Sequence, residues 1–560
     1  LCIADAWARY TRLRGHPCTQ AFANPATNLI RPPTEDTASS SDILFSTGVD
    51  EHGCKIARAA QSIGCTPQSL CDRVASQFEE LCAVLHVKPS VFIRTTDKVH
   101  MRNVQHIWER LEAGGFFYWN TFAGWYCAAD EAFYADWELE EEKADQNGQK
   151  LPGMVYHATY GSQVEFRKVT FSSFSLVPYH TCHSSKISVS VLPTGSHEHA
   201  RLLALTHESL DLLEDPSVSR PATRVPWGIP VPNRPDQTVN FPRSDIYVWF
   251  DALINYLTAA GMCSDRLDNL STWPPTVQFI GKDITRFHTI LWPALLLAVG
   301  LPLPQRIIPH AHLLVDGIKA RSLSLLLSLP FISGFHSRST SKFVQMSKSL
   351  GNVLSSSQVI EHFSARMQNG SVKTGDSLRA IAADCLRYCL IRSVCLNEDF
   401  TFNLAHAERT VNTELVNPLG NLLSSYCSIS NLLKAPSRDL IARSAGCTVI
   451  SQRLNPEQEV YFINGSDAEH LLSKSDLDME FLHSLQSLSD KFDNLWWHQL
   501  LPNRSIDLLQ DVLRKTNAFI ERHKPWSAGF SHLSRTEVLG VCLESLRLIA
   551  CFLDPNGLDP

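Results

Sequence analysis

The strongest constraint on the fold is a repeated switch from extended to helical patterning through the first half of the chain. ILFSTGVDEHG (43–53) is a short apolar run ending in a Gly-containing turn, and KIARAAQSIG and QSLCDRVASQFEELCAVLHV behind it are amphipathic at helical spacing. VFIRTTD then leads into HMRNVQHIWERLEAGG, a helical pattern with a Gly stop. IYVWFDALINYLTAAG (246–261) and TVQFIGKDITRFHTILWPALLLAVG (276–300) repeat the strand-into-helix switch, and RIIPHAHLLVDG (306–317) is one further strand. Strands that alternate with helices bury both faces of a parallel sheet, so an α/β, doubly wound, Rossmann-like domain is expected. FFYWNTFAGWYCAADEAFYADWEL carries the aromatic alternation of strands and hairpins. From about Ser356 the pattern is almost entirely helical, which predicts an all-α bundle after the sheet domain.

Two stretches break this order. HPCTQAFANPATNLIRPPTEDTASSSD, from His16, is rich in Pro, Ser, Thr and Asn and predicts a loop or disorder. From about Val169 to Leu203 neither period holds, and an irregular segment is expected.

Length and charge narrow the functional classes. At 560 residues the chain has room for about three or four domains of ~150 residues. A net charge of −7 argues against coating nucleic acid by bulk charge, so any RNA contact is expected to be local and geometric. None of the 16 cysteines forms a C-x-x-C pair, and Cys385, Cys389 and Cys395 read as buried thiols on a helix. Pro or Ser interrupts each apolar run well short of the ~20 residues that span a bilayer, so a membrane is not an expected partner; at this net charge DNA is not expected either.

The chemistry is announced by FVQMSKSLGNV (343–353), a loop of small residues with a lysine, preceded by Gln345 where a second lysine would serve. If Ala320–Gln345 is set aside as an insertion, Lys319 joins Met346 and the run becomes GIKMSKSLGNV. A mobile loop with ammonium groups suits negative charge that builds on phosphate groups in a transition state. FIGKDIT is no Walker loop, because it lacks the upstream Gly and the Ser/Thr after Lys.

Read this way, the split loop is similar to the KMSKS signature of class I aminoacyl-tRNA synthetases. STGVDEHG, FIRTTDKVHMRNVQHIWERL, GWYCAADEAFY, DPSVSRPATRVPWGIPVP, IYVWFDALINYLT, FIGKDITRFHTILWPALLL, VNTELVNPLGNLL and NAFIERHKPW each resemble the methionyl-tRNA synthetase family, in the family's order. The resemblance implies ATP-dependent activation of methionine to methionyl-adenylate and transfer to tRNA(Met), with Mg²⁺ accompanying ATP. No cysteine knuckle follows GWYCAADEAFY, which resembles the zinc-free organellar and some bacterial members. It implies no zinc, a mitochondrial matrix location with the cytoplasm as the alternative, and a monomer.

The same resemblance assigns residues. Trp249, Ala252, Leu253 and Tyr256 share one helical face, and with Ile284 and His288 they would line a pocket for the thioether, while Asp50 would hold the substrate ammonium. Gly281 and Asp283 would meet adenosine, and Met346, Ser347, Lys348 and Ser349 the phosphates, with Lys348 and Lys319 as the catalytic cations. Asn421 and Trp526 would read the anticodon, although Ser425 stands where the family usually carries arginine. On residues alone, Trp249 and Tyr256 read as ordinary core, and Trp526 reads equally as an aromatic packed after Pro525.

Domains expected on this basis are a first catalytic half (1–92, with a loop insertion at 16–43), a connective peptide (93–225, irregular at 169–203) and a second catalytic half (226–319). An insertion (320–345), a loop and stem-contact region (346–404) and an anticodon-binding helical domain (405–560) complete the chain. LCIADAWARYTRLRG resembles the helix that follows the family's His-Ile-Gly-His signature, so the first strand and both histidines are expected upstream of Leu1. Losing one preorganised donor of that kind costs ~3 kcal/mol, so the chain as written is expected to be impaired. The irregular stretches have the character of untranslated sequence read through as protein. Two other readings remain at this stage. One is a catalytically silent tRNA-binding protein. The other is a leucine-, valine- or cysteine-specific relative, disfavoured by YVWFDALINY and by the lack of an editing-sized insertion.

Overall fold

The computed structural model describes residues 1–14, 20–25 and 43–127, short strands between 132 and 176, most of 217–319, and 356–368, 375–394, 399–432, 476–527 and 535–553. Its centre is a five-stranded sheet whose neighbouring strands are all parallel. The strands are β1 (Gln20–Pro25), β2 (Leu44–Val49), β3 (Val91–Arg94), β11 (Val277–Gly281) and β12 (Ile307–His310), in the order β12-β11-β1-β2-β3. Ala21 of β1 lies opposite Phe45 of β2 on one side and Val277 of β11 on the other. The doubly wound expectation therefore holds, with two corrections. Six residues of the stretch expected to be loop, 20–25, form the central strand. The central position expected to be empty is filled from within the chain, downstream of helix α1 (Cys2–Arg14). Partners on both edges satisfy the backbone of a polar, proline-bounded segment whose own pattern carries no strand signal.

Helices cover the sheet where the sequence periodicity puts them. They are α2 (Cys54–Ser62), α3 (Pro67–Val84), α4 (Lys98–Ala113), α5 (Val248–Ala259) and α6 (Trp292–Ala298). Helix α3 starts at Thr66, whose side chain accepts from the Ser69 N–H, with Pro67 at the first helical position. On one face, Trp108, Phe250, Tyr256 and Trp292 form a core between α4, α5 and α6. On the other, Trp7 and Tyr10 of α1 join Phe45 and Phe279 of the sheet to the helical half. Trp7 meets Phe279 edge-on at 6.1 Å and stacks on Trp497 at 4.6 Å, so α1 is packed between sheet and bundle.

The connective region is antiparallel. Strand β4 (Phe117–Cys127) pairs along its length with β8 (Phe166–Leu176) and at one end with β5 (Ala132–Tyr134), while β6 (Leu139–Glu141) pairs with β7 (Val155–His157). Residues 169–176, expected to be irregular, are thus strand. A long partner imposes the conformation that the Ser-rich local pattern does not. The rest of that stretch, 177–203, lies outside the described residues. Strands β9 (Ser219–Pro221) and β10 (Ser244–Ile246) make a separate ribbon.

The run expected as one strand, 306–317, divides after β12. Strand β13 (Leu313–Val315) leaves the large sheet, pairs antiparallel with β14 (Ile318–Lys319) and parallel with β15 (Phe400–Phe402). Strand β15 lies just ahead of the helical domain, in a second half that is otherwise almost entirely helical among the described residues, as expected. The helices there are α7 (Ser356–Gln368), α8 (Gly375–Ser393), α9 (Leu404–Thr410), α10 (Asn417–Leu432), α11 (Asp476–Gln486), α12 (Leu488–Asp493), α13 (Pro502–His523) and α14 (Arg535–Leu553). Cys385 and Cys389 are buried thiols on α8, as expected; the side chain of Cys395 lies outside the described residues. No described helix is long and apolar enough to cross a membrane.

Candidate active site

Because the sheet is parallel, β2 and β11 end at the same edge, on either side of β1. Asp50 follows β2, and Gly281 and Asp283 close β11 and open the next turn, so these residues stand at the carboxyl edge where doubly wound sheets take ligands. Asp50 is exposed there. Lys282 forms an ion pair with Asp399, which ties the β11 turn to the residues just before β15. The side chain of Asp283 lies outside the described residues.

Of the residues expected to line a pocket, Tyr256, Ile284 and His288 meet directly, and Trp249 and Leu253 pack in the same core. Helix α5 carries Trp249, Ala252, Leu253 and Tyr256, with Trp249 half-buried and the other three buried. From Phe250 to Ala259 every residue of this helix is buried, so its apolar pattern alone could not single out a face. Ile284 sits in a 3₁₀ turn after β11, and His288 in the π-helical turn Phe287–Leu291. The Tyr256 hydroxyl lies 2.8 Å from His288 Nε2, and His288 Nδ1 lies 3.1 Å from the Ile284 carbonyl. Phe287, which the sequence reading passed over, stacks on Trp249 with ring centres 3.8 Å apart and planes 8° apart. Burial holds the His288 imidazole down at about 4, against the upward pull of the Ile284 carbonyl, and pushes the Tyr256 hydroxyl up. The result is a wall of flat apolar rings with one neutral, polar pair set into it.

The turn 50–53 is fastened on several sides. Glu51 is buried, and its carboxylate accepts from Arg94 Nε at 3.1 Å and from the Thr96 hydroxyl. Burial pushes the Glu51 carboxyl up despite those bonds. Gly53, at φ 110, donates its N–H to the Trp227 carbonyl at 2.9 Å, and Trp227 Nε1 donates to the Glu51 carbonyl at 2.6 Å. His52 reaches the opposite way, with its Nδ1 2.7 Å from Asp251 Oδ2 on α5. The other Asp251 oxygen lies 2.7 Å from His100 Nε2, and His100 Nδ1 lies 3.0 Å from the Thr258 hydroxyl. Burial alone would push Asp251 up; His52 and His100 outweigh it and hold the carboxyl below its ordinary range. Burial pulls His52 down, and Asp251 more than reverses this, so the imidazole stands above its ordinary value. His100, Asp251 and Phe287 were not singled out from the sequence. The available signal was a polar His100 and Asn103 on the buried face of an amphipathic helix.

The remaining candidates lie elsewhere. Lys319 is on β14, opposite Leu314, with its side chain outside the described residues. The insertion 320–345 and the loop residues Met346, Ser347, Lys348 and Ser349 also fall outside them. Asn421 is exposed on α10, and Ser425 one turn on is half-buried. Trp526 is 44% exposed, which corrects the reading of a packed aromatic. It follows Lys524, whose left-handed conformation ends α13, and Arg535 of α14 donates to the carbonyls of Pro525 at 2.7 Å and Ser527.

A sequence model of the family described as tRNA synthetases class I (M) matches residues 36–325 and 361–427. The mitochondrial methionine–tRNA ligase of Xenopus laevis is 32% identical over 91% of this chain and 76% of its own length. A methionine–tRNA ligase of Listeria innocua is 30% identical over 98% of the chain and 67% of its own. Among solved structures, Mycobacterium tuberculosis methionyl-tRNA synthetase in complex with methionyl-adenylate superimposes with a TM-score of 0.68. That match covers 99% of this chain and 86% of that one, at 24% identity, and is a likeness of fold.

Proposed function

The chain belongs to the methionyl-tRNA synthetase family of class I, and from that premise we propose how its residues carry the methionine–tRNA ligase reaction. The methionine carboxylate attacks the α-phosphate of ATP, the α–β anhydride breaks, and pyrophosphate leaves with the bonding electrons. The terminal ribose hydroxyl of tRNA(Met) then attacks the adenylate carbonyl, and AMP leaves.

Asp50 takes the α-ammonium at the sheet edge. Trp249, Ala252, Leu253, Tyr256, Ile284 and His288 enclose the side chain. The observation that carries this reading is the Tyr256–His288 pair beside the Trp249–Phe287 stack. Polarizable sulfur suits ring faces and edges, which favours a thioether in a pocket walled by flat rings. Gly281 lets backbone approach adenosine, and Asp283 accepts from ribose hydroxyls. Lys348, with Lys319, Met346 and the small residues Ser347 and Ser349 around it, meets charge developing on pyrophosphate. Mg²⁺ travels with the ATP phosphates rather than in a cage of protein ligands. Zinc has no part in this reading, because the sequence carries no cysteine knuckle after GWYCAADEAFY.

Asn421 and the exposed Trp526 read unpaired anticodon bases by amide hydrogen bonds and stacking. The protein works as a monomer in mitochondria. The Xenopus relative supports that location, and a bacterial relative of nearly equal identity makes it a matter for localisation of a tagged protein in cells.

Methionine-dependent ATP–pyrophosphate exchange tests the reading. Exchange with methionine, and none above background with leucine, valine or cysteine, is the expected result. Binding of tRNA(Met) without exchange would instead favour the silent alternative, which the relatives do nothing to support.

A further inference from the structure

We propose that Asp251 is a positioning residue for the ammonium side of the substrate site: it clamps the turn that carries Asp50 to the helix that carries the pocket aromatics. The proposal rests on the reading above, in which Asp50 meets the α-ammonium. Asp251 lies between Trp249 and Ala252 on α5 and is 1% exposed. Its two oxygens divide between two imidazoles, His52 Nδ1 at 2.7 Å and His100 Nε2 at 2.7 Å. His52 is two residues past Asp50 on one turn, and His100 is bonded on its far side to Thr258, about two turns further along the same face of α5. Asn103 on α4 donates to the same Thr258 hydroxyl at 3.1 Å and to the Met262 carbonyl at 2.8 Å. The α4–α5 pair is thereby locked, and Asp251 projects from a fixed base.

The other bonds to the turn do not perform this task. Glu51 is held by Arg94 and Thr96, around β3, and Gly53 by Trp227; neither contact reaches α5. Asp251 is a direct hydrogen-bonded link between the turn and the pocket helix. A buried carboxylate is no better than a well-packed apolar residue for stability alone. A directional bond at 2.7 Å fixes the turn within hydrogen-bond tolerance, which matters where a charge on that turn must meet a substrate atom. The ammonium and the thioether are ends of one small molecule, so the spacing between Asp50 and the Trp249–Tyr256 face is a binding parameter.

The test measures affinity for L-methionine and for 4-(methylthio)butanoate, which lacks the ammonium, by calorimetric titration of the full chain. Wild type is compared with Asp251→Asn and His52→Asn, and thermal unfolding and circular dichroism verify each variant's fold. The expected result is about tenfold or greater weakening for L-methionine, and a change within about twofold for the deamino analogue, in both variants. The double variant should be no worse than either single one, because both remove one contact. Equal weakening for both ligands, or methionine affinity within twofold of wild type in folded variants, overturns the proposal. Wild type that does not distinguish the two ligands overturns the assignment of Asp50 itself, and the proposal falls with it; the wild-type arm alone separates that failure from the others.

Discussion

The Tyr256 hydroxyl donates to His288 Nε2 across 2.8 Å, and this bond requires His288 to be the neutral tautomer whose proton sits on Nδ1, facing the Ile284 carbonyl. Burial keeps it neutral, with the imidazole down at about 4 against an ordinary 6.5. The unfolded chain binds the proton first as pH falls, so the stability from this buried neutral ring is complete above pH 6.5. It is lost as pH drops from there toward 4 and changes no further below that. The loss amounts to roughly 3 kcal/mol. Thermal midpoints measured between pH 7.5 and 4.5 should fall less steeply in His288→Asn than in wild type; parallel slopes would show that His288 titrates normally.

The pair Asp5–Arg387 joins α1 to α8 at 2.7 Å, with both side chains 1% exposed or less. Arg387 also donates to the Leu85 carbonyl at 2.8 Å, and Asp5 accepts the Lys88 N–H at 3.1 Å. Asp5→Ala strands a buried guanidinium and should cost about 3–5 kcal/mol. A fall of several degrees in the unfolding midpoint is expected, and a neutral result would mean that the pair is solvated in solution.

Trp526→Ala should separate the two half-reactions. Loss of one base stack costs about 1–3 kcal/mol, so the KM for tRNA(Met) rises by roughly tenfold or more while methionine-dependent exchange is unchanged. Arg535→Ala, which releases the carbonyls of Pro525 and Ser527, should reproduce part of that rise. Exchange falling in step with tRNA affinity would speak for a general folding defect.

Lys348→Ala should lower the rate of exchange by about 10²–10³ with the KM for methionine nearly constant, because its proposed role is to meet the additional charge that builds on the leaving pyrophosphate in the transition state. A matching rise in KM and unchanged rate would place Lys348 in ground-state binding instead.

Much of this protein is determined locally and could be read from the sequence. The helices α2 to α6 follow helical patterning, and all but α3 stop at Gly, while β2, β3 and β11 are short apolar runs ending in turns, because periodicity and turn chemistry act within a few residues. The segments that carry Trp249 to Tyr256 and Ile284 to His288 were legible too, since each is continuous, but their assignment to a pocket came from the family resemblance and not from their pattern. Only the tertiary structure decided the rest. Residues 20–25 are central strand because β2 and β11 flank them, and residues 169–176 are strand because β4 pairs with them; neither segment has a pattern of its own. Asp251 finds His52 across 199 residues of chain and His100 across 151. A carboxylate in an otherwise apolar helix has no sequence neighbour that reveals its partners, and only the packed helices bring those imidazoles to it, where burial makes the contact strong.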